Sequence, residues 1–346
     1  MSRLQKFAVV GAGAWGTALA GVLTRAGRDV TIWARMPETA TTITSRHENP
    51  IYLPGVRLDP RIRATSDFAE VARCDAALLA TPSQHLRAVA GQLDKHLKKN
   101  TPVVICAKGI EQDSGLLLTE VVAQVLPGRP MAVLSGPTFA VEVARGLPTA
   151  VTLACGDAGL GAKLVTAIGT ATFRPYLSDD LVGTEIGGSV KNVLAIACGI
   201  CVGRKLGDNA RAALMTRGLA EIMRLGLARG AKPATLMGLS GLGDLTLTCN
   251  GPQSRNMSLG IALGEGRKLA DILAERRSVA EGVHSAGAVV ALARRFNIEM
   301  PISEAIDRII NRDADIDRAI AGLLERPFRI ETTTLPSRQR AAGKLA

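Results

Sequence analysis

The sequence predicts an α/β protein in which a doubly wound sheet is followed by an all-helical part. Up to about residue 180, short apolar runs rich in β-branched residues alternate with segments of helical spacing. Beyond that point strand-like runs cease, and alanine and leucine recur with helical spacing. We therefore expect a sheet domain over residues 1–180, a helical domain over residues 181–330 and a disordered tail over residues 331–346.

A glycine-rich turn, GAGAWG over residues 11–16, follows the first predicted strand, Phe7–Val10, and opens the first predicted helix. In this position the G-x-G-x-x-G pattern binds the pyrophosphate of a dinucleotide and predicts a Rossmann-type domain. Gly11 would allow the tight turn, Gly13 would let the backbone approach the phosphates, and Gly16 would let helix and strand pack closely. Free N–H groups at the start of the helix would face the anion.

The end of the second predicted strand, Asp29–Trp33, bears on the choice of cofactor. Sites that prefer NAD end this strand with a carboxylate that binds the ribose 2′-hydroxyl. Here Arg35 and Met36 follow the strand, and the first acid comes only at Glu38. Because an arginine suits a 2′-phosphate, we expect NADPH to be preferred, with NAD as the alternative.

The remaining strands are predicted by further apolar runs, at residues 76–80, 103–107, 132–134, 150–154 and 172–176. These runs do not alternate with polar residues, which indicates strands covered on both faces of a parallel sheet. The polar segment at residues 46–50 is interpreted as a helix end and a loop over the cofactor.

The helical part is expected to begin with one long helix, Leu181–Val202, that links it to the sheet. Shorter helices are predicted at residues 211–228, 233–239, 259–264, 269–275, 284–296, 301–310 and 316–324. In such a protein the ligand site is expected in the cleft between the two parts.

The charge balance indicates an anionic partner. Forty-two lysines and arginines against 31 acids give a net charge of +11, of which the segment Arg329–Ala346 contributes +3. Basic residues are not clustered with aromatics and no nucleic-acid module is present, so we expect no nucleic-acid partner. A small phosphorylated substrate, drawn in by the positive field, is the simpler explanation.

The six cysteines show no framework spacing, and Cys198 and Cys201 lie in an apolar helical run without a second pair. We therefore expect buried thiols in a reducing cytoplasm and no metal site. We expect no signal peptide before the first strand. The most apolar long stretch, residues 190–202, is expected to be too short to span a membrane, so no transmembrane segment is predicted.

Two strands end in polar segments that could contact a substrate. Lys108 follows the run at residues 103–107, and its ammonium could hold a substrate oxygen or phosphate. The segment SGPTFA at residues 135–140 offers backbone N–H groups as oriented hydrogen-bond donors at the edge of the site. The segment Thr81-Pro82-Ser83 could line a cofactor ribose or form an ordinary turn.

A lysine and an asparagine, Lys191 and Asn192, lie together inside the long apolar helix. Gly187 and Gly188 precede Lys191 by one turn, so that another backbone or a cofactor ring can approach. A buried ammonium deprotonates readily or finds an anion, and both conditions suit a general acid or base. The alternative is a lysine that extends from a linker helix to solvent.

A carboxylate and a set of donors follow further along the chain. Asp244 lies in a glycine-rich turn, and Ser254, Arg255 and Asn256 stand together at a predicted helix start. Such a set of guanidinium, amide and hydroxyl groups suits a phosphate monoester.

Taken together, these motifs resemble the bacterial NAD(P)-dependent glycerol-3-phosphate dehydrogenases. The resemblance runs from about residue 6 to residue 328. It rests on the segments GAGAWGTALA, SGPTFAVEVARGLPTA, EIGGSVKNVLAIACG, GLSGLGDLTLTCNGPQSRN and VAEGVHSAGAVVALARRFNIEMPI.

The resemblance implies reduction of dihydroxyacetone phosphate to sn-glycerol 3-phosphate by a cytoplasmic homodimer that supplies glycerophospholipid synthesis. Lys191 would exchange the proton at the C2 oxygen of the substrate. Substrate contacts are expected at Lys108, Gly136, Thr138, Lys191, Asn192, Asp244, Ser254, Arg255 and Asn256. Cofactor contacts are expected at Gly11, Gly13, Ala14, Trp15, Gly16, Arg35, Met36, Lys108, Ala140, Arg255, Val279 and Glu281. Ala14 departs from the family, which commonly has serine there, and this puts a side-chain contact to the cofactor in doubt.

Two other functions stay open on the residues alone. A dehydrogenase of the β-hydroxyacid type also uses a lysine and an asparagine on a linker helix, but usually spaces them further apart. A non-catalytic NADP-sensing protein would need neither the placed lysine nor the Ser254–Asn256 cluster.

Overall fold

The computed structural model describes residues 4–251, 253–275 and 280–328. The tail over residues 331–346 and the expected cofactor contact at Val279 lie outside the described residues. The structure contains ten strands: β1 Lys6–Val10, β2 Asp29–Trp33, β3 Glu48–Asn49, β4 Leu53–Arg57, β5 Arg63–Thr65, β6 Ala76–Leu79, β7 Val103–Ile105, β8 Met131–Ser135, β9 Thr149–Cys155 and β10 Phe173–Ser178.

The helices in the sheet part are α1 Ala14–Arg25, α2 Pro37–Arg46, α3 Phe68–Val71, α4 Leu86–Asp94, α5 Leu118–Val125, α6 Ala140–Ala144 and α7 Ala158–Ile168. Those that follow are α8 Leu181–Gly203, α9 Asp208–Ala228, α10 Pro233–Leu236, α11 Asp244–Asn250, α12 Arg255–Gly264, α13 Leu269–Glu275, α14 Glu281–Arg295, α15 Pro301–Arg312 and α16 Ile316–Leu324. After β10, every element of secondary structure among the described residues is a helix.

Eight strands form one sheet in the order β10-β9-β8-β7-β6-β1-β2-β5, while β3 and β4 form a separate hairpin. Alternate residues of β1 face opposite sides: Phe7 and Val9 belong to one apolar cluster, and Ala8 and Val10 to another. The sheet is therefore covered on both faces, as the unbroken apolar runs predicted.

The prediction of an all-parallel sheet was wrong at one pair. β8 and β9 run antiparallel, with Ala132 opposite Cys155, whereas every other neighbouring pair in the sheet is parallel. The connection between them contains only the five-residue helix α6, which rises about 8 Å, roughly half the length of a five-residue strand. Such a short helix does not carry the chain back to the far end of the sheet, so β9 returns in the opposite direction.

The centre of the helical part is α8, in which every residue from Gly183 to Cys201 is buried. It packs against α9, α11, α12 and α14. Among the described residues, α8 is the one helix whose length and apolar composition would suit a membrane span. It has 23 residues and is therefore longer than the apolar stretch at residues 190–202 on which the prediction rested. Eighty-nine per cent of its most apolar window is buried inside the structure.

Two glycines on α8 face two on α12, which allows the helix backbones to approach closely. A Cβ atom at Gly199 would lie 2.2 Å from the Met257 carbonyl oxygen, and one at Gly203 would lie 2.4 Å from that of Ile261. The glycines of α12 are equally close to α8, because a Cβ at Gly260 would lie 2.1 Å from the Ile196 carbonyl oxygen. This contact fixes α12, and with it the start of that helix, against α8.

Gly199→Ala is expected to lower the free energy of unfolding by about 1–3 kcal/mol, because the methyl group overfills this contact. The better helix propensity of alanine, up to about 1 kcal/mol, offsets only part of that cost. Gly91→Ala in α4 is the matched control, since a Cβ there meets nothing within 4 Å. Urea denaturation should show a loss for Gly199→Ala and none for Gly91→Ala; equal stabilities would contradict the close contact.

Candidate active site

The glycine-rich turn has the geometry that the sequence predicted for each glycine. Gly11 has φ of +119°, and its N–H donates to the Trp33 carbonyl at 3.0 Å. A Cβ at Gly16 would lie 1.9 Å from the Gly11 carbonyl oxygen, so only glycine fits there. At Gly13 a Cβ would meet nothing within 4 Å, which leaves that side of the turn open to a ligand.

The helix that follows the turn begins without a side-chain cap. Gly13 is its N-cap, and Ala14 and Trp15 are its first residues. N–H groups in the first turn of a helix have no intrahelical acceptor, so they are available to an anion. Arg35 and Met36 are exposed directly after β2, the neighbour of β1, and therefore lie at the same edge of the sheet.

Two further residues expected at the cofactor border this turn. The Trp15 indole N–H donates to the Cys106 carbonyl at 3.2 Å, which ties α1 to the end of β7, two residues before Lys108. Ala140 is the first residue of α6 and is half-buried against the same apolar cluster as α1.

Three charged residues, Lys108, Lys191 and Asp244, form what we term the lysine–aspartate cluster. Lys108 Nζ lies 2.6 Å from Asp244 Oδ2, and Lys191 Nζ hydrogen-bonds to Asp244 Oδ1. Lys191 also donates to Thr248 Oγ1 at 2.9 Å. The Asp244 side chain is fully buried, and those of Lys108 and Lys191 are 15% and 7% exposed. The cluster therefore holds two lysine side chains on one buried carboxylate.

The cluster extends to the end of β8. Lys108 Nζ donates to the Gly136 carbonyl at 2.9 Å and reaches Thr138 Oγ1 at 3.5 Å. Gly136 has φ of +151°, and a Cβ there would lie 2.9 Å from Val151 Cα. Glycine is therefore required where the loop passes the adjacent strand.

The prediction that Asp244 lies in a glycine-rich turn was wrong in part, because Asp244 is the first residue of helix α11. The preceding glycines form a π-helical turn, Leu239–Gly243. This turn packs on α8 at Gly187, where a Cβ would lie 2.5 Å from the Ser240 carbonyl oxygen. The expectation that a second backbone approaches at Gly187 is confirmed, and this approach brings Asp244 to Lys191.

Burial lowers the pKa of Lys191 to about 7. The Lys108 ammonium acts in the same direction, whereas the Asp244 carboxylate opposes the shift. The alternative of a solvent-extended lysine does not hold, because the Lys191 side chain is buried. A lysine with such a pKa can give or take a proton near neutral pH.

A chain of amide contacts lies beside the cluster. Asn256 Nδ2 donates to Asn192 Oδ1 at 2.9 Å, and Asn256 Oδ1 accepts the Gly282 N–H at 2.9 Å. Asn192 Nδ2 lies 3.4 Å from the Gly188 carbonyl. These contacts join α8, α12 and α14 around one point.

The start of α12 places the predicted phosphate-binding residues. Ser254 is the N-cap, and its Oγ accepts the Met257 N–H at 3.2 Å. Arg255 and Asn256 are the first two residues of the helix, and Arg255 keeps an exposed surface. A helix start that carries a guanidinium and an amide is a favourable anion site.

Glu281, the first residue of α14, connects the helical part to the sheet part. Its Oε2 accepts the Ser83 hydroxyl at 2.6 Å, and its charge acts on the Arg255 guanidinium. Ser83 follows β6, so this hydrogen bond ties the segment after that strand to the helical part. The sequence did not predict the pair of Glu281 and Ser83, nor the contact between Thr248 and Lys191. A predicted helix α11 would have indicated Thr248, because it lies one turn after Asp244.

Comparisons with known proteins show the family to which the chain belongs. Residues 6–160 match the family model of the NAD-dependent glycerol-3-phosphate dehydrogenase N-terminus, and residues 180–321 match that of the C-terminus. Together these matches span most of the chain.

Individual relatives give the same result. A glycerol-3-phosphate dehydrogenase [NAD(P)+] from Parvibaculum lavamentivorans is 62% identical over 95% of this chain and 98% of its own. The enzyme of that name from Rhodospirillum rubrum is 61% identical over 95% and 94%. The crystal structure of glycerol-3-phosphate dehydrogenase from Coxiella burnetii aligns with a TM-score of 0.90 at 41% identity, covering 93% of this chain and 99% of that one. The chain therefore belongs to the NAD(P)-dependent glycerol-3-phosphate dehydrogenases, a family of oxidoreductases.

Proposed function

We propose that this chain interconverts dihydroxyacetone phosphate and sn-glycerol 3-phosphate, with Lys191 as the proton donor and acceptor. The observation that carries the proposal is the lysine–aspartate cluster, which holds a buried ammonium with a pKa of about 7. Residues 1–180 form the dinucleotide-binding domain and residues 181–330 the helical substrate-binding domain, and residues of both domains contribute to the site between them, Lys108 from the first and Lys191 from the second.

The residues at the glycine-rich turn fit a dinucleotide. Gly13 leaves open space, α1 begins there without a side-chain cap, and Arg35 is exposed at the neighbouring strand end. When bound, the reduced nicotinamide supplies the hydride that this reaction needs. Ala14 contributes a backbone N–H at the position where a serine would add a hydroxyl.

In the reductive direction, Lys191 donates its proton to the C2 oxygen as negative charge develops there. Asp244 holds the ammonium in place and offsets part of the cost of burying it. Lys108, which Asp244 and the Gly136 carbonyl orient, holds a substrate oxygen with a second positive charge. In the oxidative direction neutral Lys191 takes the proton from the C2 hydroxyl.

The substrate phosphate is assigned to the start of α12. Arg255 offers a guanidinium, and the first N–H groups of the helix add donors beside it. Asn192 and Asn256 are hydrogen-bonded to each other next to Lys191, where they orient the carbon end of the substrate.

The direct test is steady-state oxidation of NADPH by the purified protein with dihydroxyacetone phosphate. We expect turnover that depends on both compounds and gives sn-glycerol 3-phosphate. Absence of NADPH oxidation with this substrate would contradict the proposed reaction. A protein that only senses NADP would bind the cofactor without consuming it.

Arg35 is proposed to favour NADPH over NADH through the 2′-phosphate. Arg35→Asp replaces attraction by repulsion at that phosphate and offers the ribose hydroxyls an acceptor. The ratio of kcat/KM for NADPH to that for NADH should fall at least about tenfold, or about 1.4 kcal/mol. Lys163→Asp, an equal charge change at an exposed position on α7, should leave the ratio unchanged. An unmoved ratio in Arg35→Asp would assign the choice to Met36 or to residues 47–52.

The family resemblance further supports a cytoplasmic homodimer whose product feeds glycerophospholipid synthesis. All six cysteines are buried and none forms a disulfide, which suits a reducing compartment. Light scattering during size-exclusion chromatography would give the mass of the protein in solution and so test whether it is a dimer.

A further inference from the structure

One buried asparagine outside the site described above contacts the glycine-rich turn directly. Asn49, in β3, is 1% exposed. Its Nδ2 donates both to the Ala12 carbonyl and to Thr17 Oγ1, each at 2.8 Å. Its Oδ1 accepts the Tyr52 N–H at 3.4 Å. Both halves of the amide are thus used, one toward the turn and one within the hairpin.

The contact to the Ala12 carbonyl determines which way the next N–H points. A trans peptide is planar, so the carbonyl of Ala12 and the N–H of Gly13 point in opposite directions. Asn49 holds the carbonyl on the hairpin side, and the Gly13 N–H is therefore directed away from the hairpin. Gly13 is also the position where a Cβ would meet nothing within 4 Å, on the open side of the turn.

The second contact joins this peptide to α1. Thr17 lies one turn into that helix, is fully buried, and donates weakly to the Ala12 carbonyl at 3.5 Å. Asn49 bonds to both members of this pair, so the turn and the first helical turn are held by one side chain. An aspartate would have the same shape but no hydrogen to donate, and it would place a carboxylate against a carbonyl oxygen.

The hairpin is brought to the turn by the way α2 ends. His47 has φ of +55° at the C-cap of that helix, which turns the chain so that β3 follows at once. Glu48 is exposed and Asn49 is buried, as alternation along a strand requires. The backbone path thus explains how a residue 37 positions away from Ala12 reaches it.

We propose that Asn49 is a positioning residue for the cofactor: it fixes the Ala12–Gly13 peptide so that the Gly13 N–H is presented to the pyrophosphate. This inference rests on the proposed binding of NADP at the glycine-rich turn. Asn49 itself contacts neither the cofactor nor the substrate.

The test compares Asn49→Asp with Asn100→Asp, the same change at an exposed position before β7. NADPH is titrated while tryptophan fluorescence is followed, and KM for dihydroxyacetone phosphate is measured at saturating NADPH. We expect Kd for NADPH to rise at least about tenfold in Asn49→Asp, because two hydrogen bonds are lost and a negative charge is added near the phosphates. KM for dihydroxyacetone phosphate should change less than about twofold, and Asn100→Asp should match the wild type in both.

Binding of NADPH by Asn49→Asp within about twofold of the wild type would overturn the inference. So would an equal rise in Kd for NADPH and KM for the substrate, because that pattern indicates a general structural loss. If Asn49→Asp does not fold, Asn49→Ala removes the contact to the Ala12 carbonyl without adding a charge, and an unchanged Kd for NADPH in that variant overturns the inference instead. Failure of the wild-type protein to bind NADPH would reject the proposed function, which is a separate outcome.

Discussion

Lys191→Ala should lower kcat for the reduction of dihydroxyacetone phosphate by about 10²–10⁴-fold, because the variant lacks the proton donor. The side chain is buried beside Asp244 and Thr248, and within the part of the chain that the structure describes only Lys108 shares this carboxylate with it. NADPH binding should be nearly unaffected, since the glycine-rich turn lies on a different segment of the chain. Steady-state kinetics and an NADPH titration together measure both effects.

The control for this variant is Lys163→Ala, which removes the same charge from the exposed surface of α7. It should keep wild-type kinetics. A Lys191→Ala protein that keeps more than about a third of wild-type kcat would rule out Lys191 as the proton donor, because even weak general acid catalysis exceeds that factor.

Asp244→Asn should lower both stability and activity, because it leaves two ammonium groups near each other without the carboxylate between them. Removing one partner of a buried ion pair costs about 3–5 kcal/mol. The pKa of Lys191, already lowered by burial, should fall further without the attraction of Asp244. At pH 7 a pKa lowered by one further unit leaves about a tenth of Lys191 protonated instead of about half, so the rate of reduction should drop about fivefold.

Two measurements distinguish this effect from a general loss of structure. Asp208→Asn changes another aspartate at the first position of a helix, but an exposed one, and should leave thermal stability and activity near wild type. In Asp244→Asn the relative activity should recover as the pH is lowered below 7, because Lys191 is then reprotonated. A variant with wild-type activity at pH 7 would contradict the role given to Asp244.

Much of the sheet could be predicted because its strands are buried on both faces and therefore form unbroken apolar runs. The edge strand β5, with the sequence Arg-Ala-Thr, gives no such signal and was not predicted. The hairpin of β3 and β4 was also missed, because β3 has only two residues and β4 contains a proline and a glycine. The direction of β9 was predicted wrongly, because an apolar run does not encode strand polarity.

The residues of the candidate site could be predicted from the sequence, but the contacts between them could not. Lys191 stands out because an ammonium in an apolar helix needs a partner. Asp244 is 53 residues from Lys191 and 136 from Lys108, and nothing in those spacings pairs them. Their contact depends on the π-helical turn, which in turn depends on the close approach at Gly187.

The pH dependence of the reaction in both directions tests whether Lys191 is the group that gives and takes the proton. Lys191 must be protonated to reduce dihydroxyacetone phosphate and neutral to oxidise glycerol 3-phosphate. With its pKa lowered to about 7, kcat/KM for reduction should fall as the pH rises through about 7, and kcat/KM for oxidation should rise over the same range. Profiles for the two directions that cross near pH 7, and that lose this dependence in Lys191→Ala, are the result we predict. A kcat/KM for reduction that stays constant up to about pH 10, where an ordinary lysine titrates, would contradict the role of Lys191 as a proton donor with a lowered pKa.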